Sequence, residues 1–248
     1  MLETDALVLR EKTISENDKM LSILKHEMGR VTAFEKGSKS LRSHMAGACR
    51  AFCYGHFVLN ERSDAYSVSS AEPIMSFHEL ESDLVRLALA NYFAEAAGYI
   101  SLDSGDSAEI LQLMLNCLYV LTKKNVSVQT VKMVFELRAM CILGYMPAVE
   151  GCMACGETES AAWYFDGDEG GILCRDCHEQ DQYGSRIALP ASAVQALKYI
   201  ISADAKKIFS FTLGEGAMKA VTKAVEDFFV QGVDTELKTL DFYKKTLI

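Results

Sequence analysis

Three features of this sequence predict an α+β, multidomain fold in which a small β-barrel precedes a bundle of helices. Residues 1–78 hold short apolar runs broken by turns. From about His78 the apolar period lengthens to that of a helix. Two Cys-x-x-Cys pairs then interrupt the helical part, Cys152-Met153-Ala154-Cys155 and Cys174-Arg175-Asp176-Cys177. The chain has 248 residues, half of them hydrophobic, and only three prolines, which suits two packed domains better than one and excludes general disorder.

The first strand is expected over Thr4–Arg10, around the apolar run Ala6-Leu7-Val8-Leu9. The polar turn Ser15-Glu16-Asn17-Asp18-Lys19 leads to a second strand, Met20–His26. Gly29 breaks the chain before a third, Arg30–Glu35. Phe52–Asn60 and Ala65–Met75, joined by Glu61-Arg62-Ser63-Asp64, complete five. Five short strands with a long basic loop before the last hairpin fit the oligonucleotide-binding (OB) barrel. An SH3-like barrel is the alternative, because the sequence leaves strand order open.

Helical spacing then takes over. Val85, Leu89, Tyr92, Phe93, Ala96, Ala97 and Ile100 form one apolar stripe, preceded by Glu79, Glu81 and Asp83, where acids suit a helix start. Ile110 to Leu121 form a second, with Asp106 as N-cap. Val128 to Ile142 form a third, stopped by Gly144-Tyr145-Met146-Pro147. After the cysteine pairs, Pro190 opens a helix through Val194, Leu197 and Ile201. Others follow over Ala217–Phe228 and from about Glu236. The expected domains are a barrel at 1–78 and a helical domain at 79–248, with an insertion at about 148–182 between the third and fourth helices.

Eighteen residues separate the two cysteine pairs, the spacing of a four-thiolate zinc site. A tight turn after the first cysteine of each pair aims both sulfurs inward. Trp163-Tyr164-Phe165 and Asp166-Gly167-Asp168-Glu169-Gly170-Gly171 read as a strand and turn that return the chain to the second pair. Cys152, Cys155, Cys174 and Cys177 would close the coordination sphere, so the ion would be structural. Iron in the same site and two disulfides are the alternatives. A second metal site from His44, Cys49, Cys53 and His56 has no usual spacing and is set aside.

The formal net charge is −9, yet its distribution is uneven. Residues 81–248 carry 15 basic and 23 acidic side chains. Residues 30–60 instead hold Arg30, Lys36, Lys39, Arg42 and Arg50 against the single acid Glu35. A basic island on an acidic protein marks a local surface for a polyanion. Lysines and arginines interleaved with Gly37, Ser38, Ser40 and Ser43 can follow a phosphate backbone, and Phe34, Phe52, Tyr54, Phe57 and Tyr66 are candidates for stacking on bases or for the barrel core.

Several chemistries fail on the residues. A phosphate-binding Walker A loop needs glycines where Ala33 and Ser38 stand. A zinc deaminase needs His-x-Glu, and His178-Glu179 has neither its spacing nor its order. No hydrolase or dinucleotide motif appears, so nothing argues for an enzyme. The N-terminus has neither the basic start nor the apolar run of a signal peptide. Cys49, Cys53, Cys117 and Cys141 sit in apolar settings, as reduced thiols do, which places the protein in the cytoplasm.

Taken in order, these motifs resemble the RecO family of bacterial recombination mediators in the RecF pathway. Ala6-Leu7-Val8-Leu9-Arg10, with Glu16-Asn17-Asp18-Lys19 and Leu21, is similar to the family's first strand and E-x-D-[KR] turn. Gly29-Arg30 through Lys36-Gly37, Arg42-Ser43 and Gly47 resemble its basic loop. Gly144-Tyr145-Met146-Pro147 resembles the entry to its zinc knuckles, and Leu237-Lys238-Thr239-Leu240 its terminal L-K-[ST]. Ser40 departs from the family, where a second basic residue often stands, and Cys49-Arg50-Ala51-Phe52 replaces a proline-containing segment. The resemblance implies a nucleoid-associated, non-enzymatic protein that binds single- and double-stranded DNA and anneals strands. With RecR it would help load RecA onto DNA coated by single-strand-binding protein. A zinc-stapled adaptor that binds only protein is the alternative.

Overall fold

The computed structural model describes residues 1–16, 18–36, 45–62, 65–101, 107–180 and 184–247. All five expected strands form: β1 (Leu2–Thr13), β2 (Asp18–Lys25), β3 (Gly29–Lys36), β4 (Cys53–Glu61) and β5 (Tyr66–Ser76). They close in the order β1-β2-β3-β5-β4, antiparallel throughout except where β3 meets β5 in parallel. This is the OB arrangement, and it resolves the choice that the sequence left open.

Alternation along the strands puts Ala6, Val8, Leu21, Ile23, Ala33, Phe57, Leu59, Val68 and Ala71 in the barrel core. Ala48 and Cys49, from the turn after the basic loop, join that core. The pairing of β1 with β2 slips by one residue between Val8 and Arg10, leaving Leu9 as a bulge.

Packing gathers the chain into two compact units, Met1–Thr122 with Leu237–Ile248, and Lys123–Glu236. In the first unit a 3-10 helix (His78–Ser82) follows β5, so Glu79 and Glu81 precede the main helix. Asp83 then caps α1 (Leu84–Ile100), its carboxylate accepting from the Arg86 N–H at 3.2 Å. The expected cap Asp106 of α2 (Ser107–Lys123) lies outside the described residues.

Gly29 turns the chain from β2 to β3 at φ +65°, against the end of α1, where a Cβ would stand 2.1 Å from the Ser101 carbonyl oxygen. The last helix, α7 (Lys238–Lys245), packs on α1, and the Thr239 N–H donates to the Glu95 carboxylate at 2.9 Å. The terminal L-K-T signature therefore anchors α7 to α1.

The second unit holds α3 (Val128–Ile142), α4 (Arg175–Gln180), α5 (Ala191–Ser202) and α6 (Glu215–Val233). It also holds a three-stranded sheet, ordered β7-β6-β8, from β6 (Trp163–Asp166), β7 (Gly171–Cys174) and β8 (Arg186–Leu189). The strand β8 and helix α4 are too short for their period to stand out in the sequence. Helices α3 and α6 are joined by buried charge: Lys132 lies 2.6 Å from Glu136 and 2.8 Å from Glu226. Burial alone would lower the Lys132 pKa, but the two carboxylates outweigh it and raise it. Among the described residues, no helix is long and apolar enough to cross a membrane.

Candidate metal centre and nucleic-acid interface

Cys152, Cys155, Cys174 and Cys177 converge, with all four Sγ atoms within 4.8 Å of one another. The first pair sits on a turn in which the Gly156 N–H donates to the Cys152 carbonyl at 2.8 Å. Gly156 adopts φ +78°, which a β-carbon would resist, and the Cys152 N–H donates to the Glu157 carbonyl at 2.7 Å. The second pair is delivered by the β6–β7 hairpin: Trp163 pairs with Cys174 and Asp166 with Gly171. Cys174 ends β7 and Cys177 follows in the first turn of α4.

The hairpin turn is built by Asp166. One carboxylate oxygen accepts from the N–H groups of Asp168 and Glu169, both at 3.1 Å, and the other accepts from Arg186 at 2.9 Å in a nearly buried pair. The fold therefore brings together all four cysteines named from spacing.

The donor set fits a thiophilic dication. A tetrahedron of thiolates about 2.3 Å from a metal has edges of about 3.8 Å, and the Cys155 and Cys174 sulfurs are 3.8 Å apart. Burial opposes the Cys152 thiolate, yet backbone hydrogen bonds from Cys174, Cys155 and Ala154 outweigh it and lower the pKa to about 6. The Cys177 pKa is raised through its hydrogen bonds with Cys155 and Cys174. All eight cysteines are unbridged, so disulfides do not hold the hairpin. The Tyr164 ring stacks on His178 at 3.6 Å beside the centre, and four sulfurs leave that imidazole no place as a ligand. Of the rejected second set, Cys49 is buried in the barrel while His56 is exposed and paired with Asp5.

The basic residues are arranged along the barrel. Arg30 is exposed on β3, its stem lying over Gly98 of α1. Lys36 is exposed at the end of β3. Lys39 and Arg42 lie outside the described residues. Arg50 is exposed but pairs with Glu81 at 2.6 Å, so its charge is shared with the 3-10 helix.

Two further cations share the outer surface of the same strands, Arg10 and Lys12 of β1. Counting alternate residues onward from Ala6 and Val8 sends both into the barrel; the bulge at Leu9 reverses the parity and turns them out. No signal in one sequence marks that bulge.

The same reversal turns Glu11 toward the barrel interior, together with Lys19 and Glu35. Lys19 and Glu11 form an ion pair there. Glu35 is fully buried, and among the described residues neither carboxylate oxygen has a hydrogen-bond partner. Burial raises its pKa; Lys19 and the Cys49 thiol work the other way. A buried carboxylate thus lies directly under the residue that begins the basic loop.

The geometry defines a class: an OB-barrel protein with a cationic barrel surface and a separate four-cysteine centre that could hold a metal ion. Models of the family's two parts match almost end to end, "Recombination protein O N terminal" over residues 1–77 and "Recombination protein O C terminal" over residues 81–241. The chain is 31% identical over 243 residues to "DNA repair protein RecO" of Acetivibrio thermocellus, covering 98% of this chain and 96% of that one. It is 26% identical to the RecO of Alkaliphilus metalliredigens over 99% of both chains, and 25% identical to that of Caldanaerobacter subterraneus over 98% of both. The chain belongs to the RecO family of DNA repair proteins.

Proposed function

We propose that this protein acts in DNA repair and homologous recombination as a mediator without catalysis of its own. It binds single- and double-stranded DNA through the barrel and basic loop, brings complementary strands together, and with RecR assists RecA on DNA covered by single-strand-binding protein. The observation that carries DNA binding is the pair of exposed cations on β3, Arg30 and Lys36, which Lys39 and Arg42 follow in the sequence. Cations spaced along one strand can engage separate phosphates of one nucleic-acid backbone. The working unit is the barrel of residues 1–78, and the rest of the chain offers partner surfaces.

One zinc ion at Cys152, Cys155, Cys174 and Cys177 serves as a staple. With four thiolates its coordination is complete, leaving it no position for a substrate. The protein works in the cytoplasm, at the nucleoid.

Anisotropy of labelled single strands and duplexes, at low and moderate salt, tests the DNA reading. Saturable binding that weakens steeply with salt is expected. No binding at low salt would leave the protein-only adaptor as the better account. Metal analysis should give about one equivalent of zinc per chain.

A further inference from the structure

The four sulfurs of the knuckle are unequally protected. Cys152 and Cys174 are buried, at 3% and 5% exposure, while Cys155 is exposed and Cys177 half-buried. The cause is local. Cys174 ends β7, paired with Trp163 of β6, and Cys152 is drawn against that strand because the Met153 N–H donates to the Ile172 carbonyl at 2.9 Å. Cys155 instead lies in the run 153–159, every residue of which is exposed. Cys177 lies in the first turn of α4, a helix that buries none of its residues. Each Cys-x-x-Cys pair thus supplies one covered sulfur and one open one. The two open sulfurs are neighbours, joined by a hydrogen bond.

The other thiols are poor competitors for an oxidant. Cys49, Cys53 and Cys117 are buried and Cys141 is half-buried. Burial raises the pKa of all four, which keeps them protonated and unreactive. Charge then narrows the reagent. Glu157, Glu159 and Asp176 stand exposed in the chain beside the open sulfurs, and the Arg175 charge is shared with Glu179 at 2.8 Å. An anionic oxidant such as oxidised glutathione is repelled there, and a small neutral one is not.

We propose that Cys155 and Cys177 form a peroxide-responsive disulfide, so that the knuckle is a reversible staple in which this bond takes the place of the metal. The proposal rests on the zinc reading above and adds a modification site to it. The Cys155 thiolate attacks one oxygen of hydrogen peroxide; the O–O bond breaks, Cys155 becomes a sulfenic acid, and the departing hydroxide is protonated by solvent. The Cys177 thiolate then attacks the Cys155 sulfur. The S–S bond forms, and a second hydroxide leaves and is protonated in turn. Both thiolates are oxidised, the peroxide is reduced, and water is the product. Cys152 and Cys174 alone are too few ligands to retain zinc. The disulfide ties together the same two turns. The hydrogen bonds from Met153 to Ile172 and from Ala148 to Gly170, the latter 2.8 Å long, involve no sulfur and stay in place. A dithiol reductant and zinc would then restore the original staple.

The test uses the full-length protein, assayed for metal as isolated. Hydrogen peroxide, followed with a chromogenic zinc reporter, should release about one equivalent of zinc, with about two thiols lost for each. Oxidised glutathione at the same concentration should act more slowly. Peptide mass mapping of the oxidised wild type should show Cys155 linked to Cys177 and leave Cys49, Cys53, Cys117 and Cys141 as free thiols, a readout that needs no variant. Cys155→His replaces the open sulfur with a nitrogen ligand, so it should keep its zinc and release it about tenfold more slowly under peroxide. Cys141→Ser should release zinc as wild type does. Dithiothreitol with added zinc should return the oxidised protein to its original melting temperature.

Zinc retained under peroxide, a disulfide within either Cys-x-x-Cys pair, or wild-type release from Cys155→His would each overturn the proposal. Faster release by oxidised glutathione would overturn the choice of oxidant, and melting that reduction does not restore would overturn reversibility. Protein that carries no metal as isolated would overturn the zinc reading beneath it.

Discussion

The four-cysteine knuckle and the cationic face of the barrel use side chains in opposite senses. The knuckle turns four donors toward one point, where a single ion would saturate them. The barrel face spreads its cations outward along neighbouring strands, where only an extended polyanion can meet several together. A convergent site contributes to folding because its ligands are displaced from water and tied to one another. A divergent one leaves its charges hydrated until a partner arrives. Variants at the knuckle should therefore change stability far more than DNA affinity, and variants on the barrel face the reverse.

Cys174→Ser is the largest expected effect. It should lower thermal stability by several kcal/mol, since structural zinc contributes on the order of 10 kcal/mol in isolated finger peptides. A strong chelator should do the same to wild type, while DNA affinity at a temperature where the protein stays folded changes little. Equal melting with and without chelator would break the comparison on the knuckle side.

Lys132→Met comes next. It leaves Glu136 and Glu226 facing one another in the α3–α6 core, which should cost about 3–5 kcal/mol in denaturant unfolding. DNA binding at moderate temperature should survive.

Glu35→Gln probes the barrel's own interior. The folded protein holds the Glu35 proton above the pH at which the unfolded chain, near the ordinary value of 4.5, releases it. Glu35 therefore favours the fold at low pH, and this contribution is lost as pH rises from about 4.5 through the folded-state pKa. The glutamine variant should melt roughly 2–4 °C above wild type at pH 8, with the gap closing toward pH 4.5. A pH-independent difference would show that Glu35 is not protonated by its burial.

The smallest effect is expected from Arg50→Ala. Its ion pair with Glu81 is half-exposed at both ends, so stability should move by less than about 1 kcal/mol. DNA affinity should fall less than with Lys36→Ala, which forms no ion pair among the described residues.

The two regions also differ in how far residues alone reveal them. The knuckle's ligands and hairpin follow from local spacing and turn chemistry, because every ligand lies within one short stretch. The barrel's strands were legible for the same reason, from alternation and punctuation. Its binding face was not. Which side of a strand a residue occupies depends on parity, and the bulge at Leu9 exchanges Arg10 and Lys12 with Glu11. The Arg50–Glu81 pair, the Thr239–Glu95 hydrogen bond and the Lys132 cluster join residues distant in the chain, where no periodicity records the partner. Glu35 looked like a lone acid among surface bases, although its place between Phe34 and Lys36 is an inward one.

The central claim is that the basic end of the barrel holds DNA, and the salt dependence of binding tests it most directly. Lys36→Ala, Lys39→Ala and Arg42→Ala combined should weaken single-strand binding and make the slope of log affinity against log salt shallower by about two units, close to 0.7 for each lost phosphate contact. A triple variant with the affinity and slope of the wild type would contradict the account.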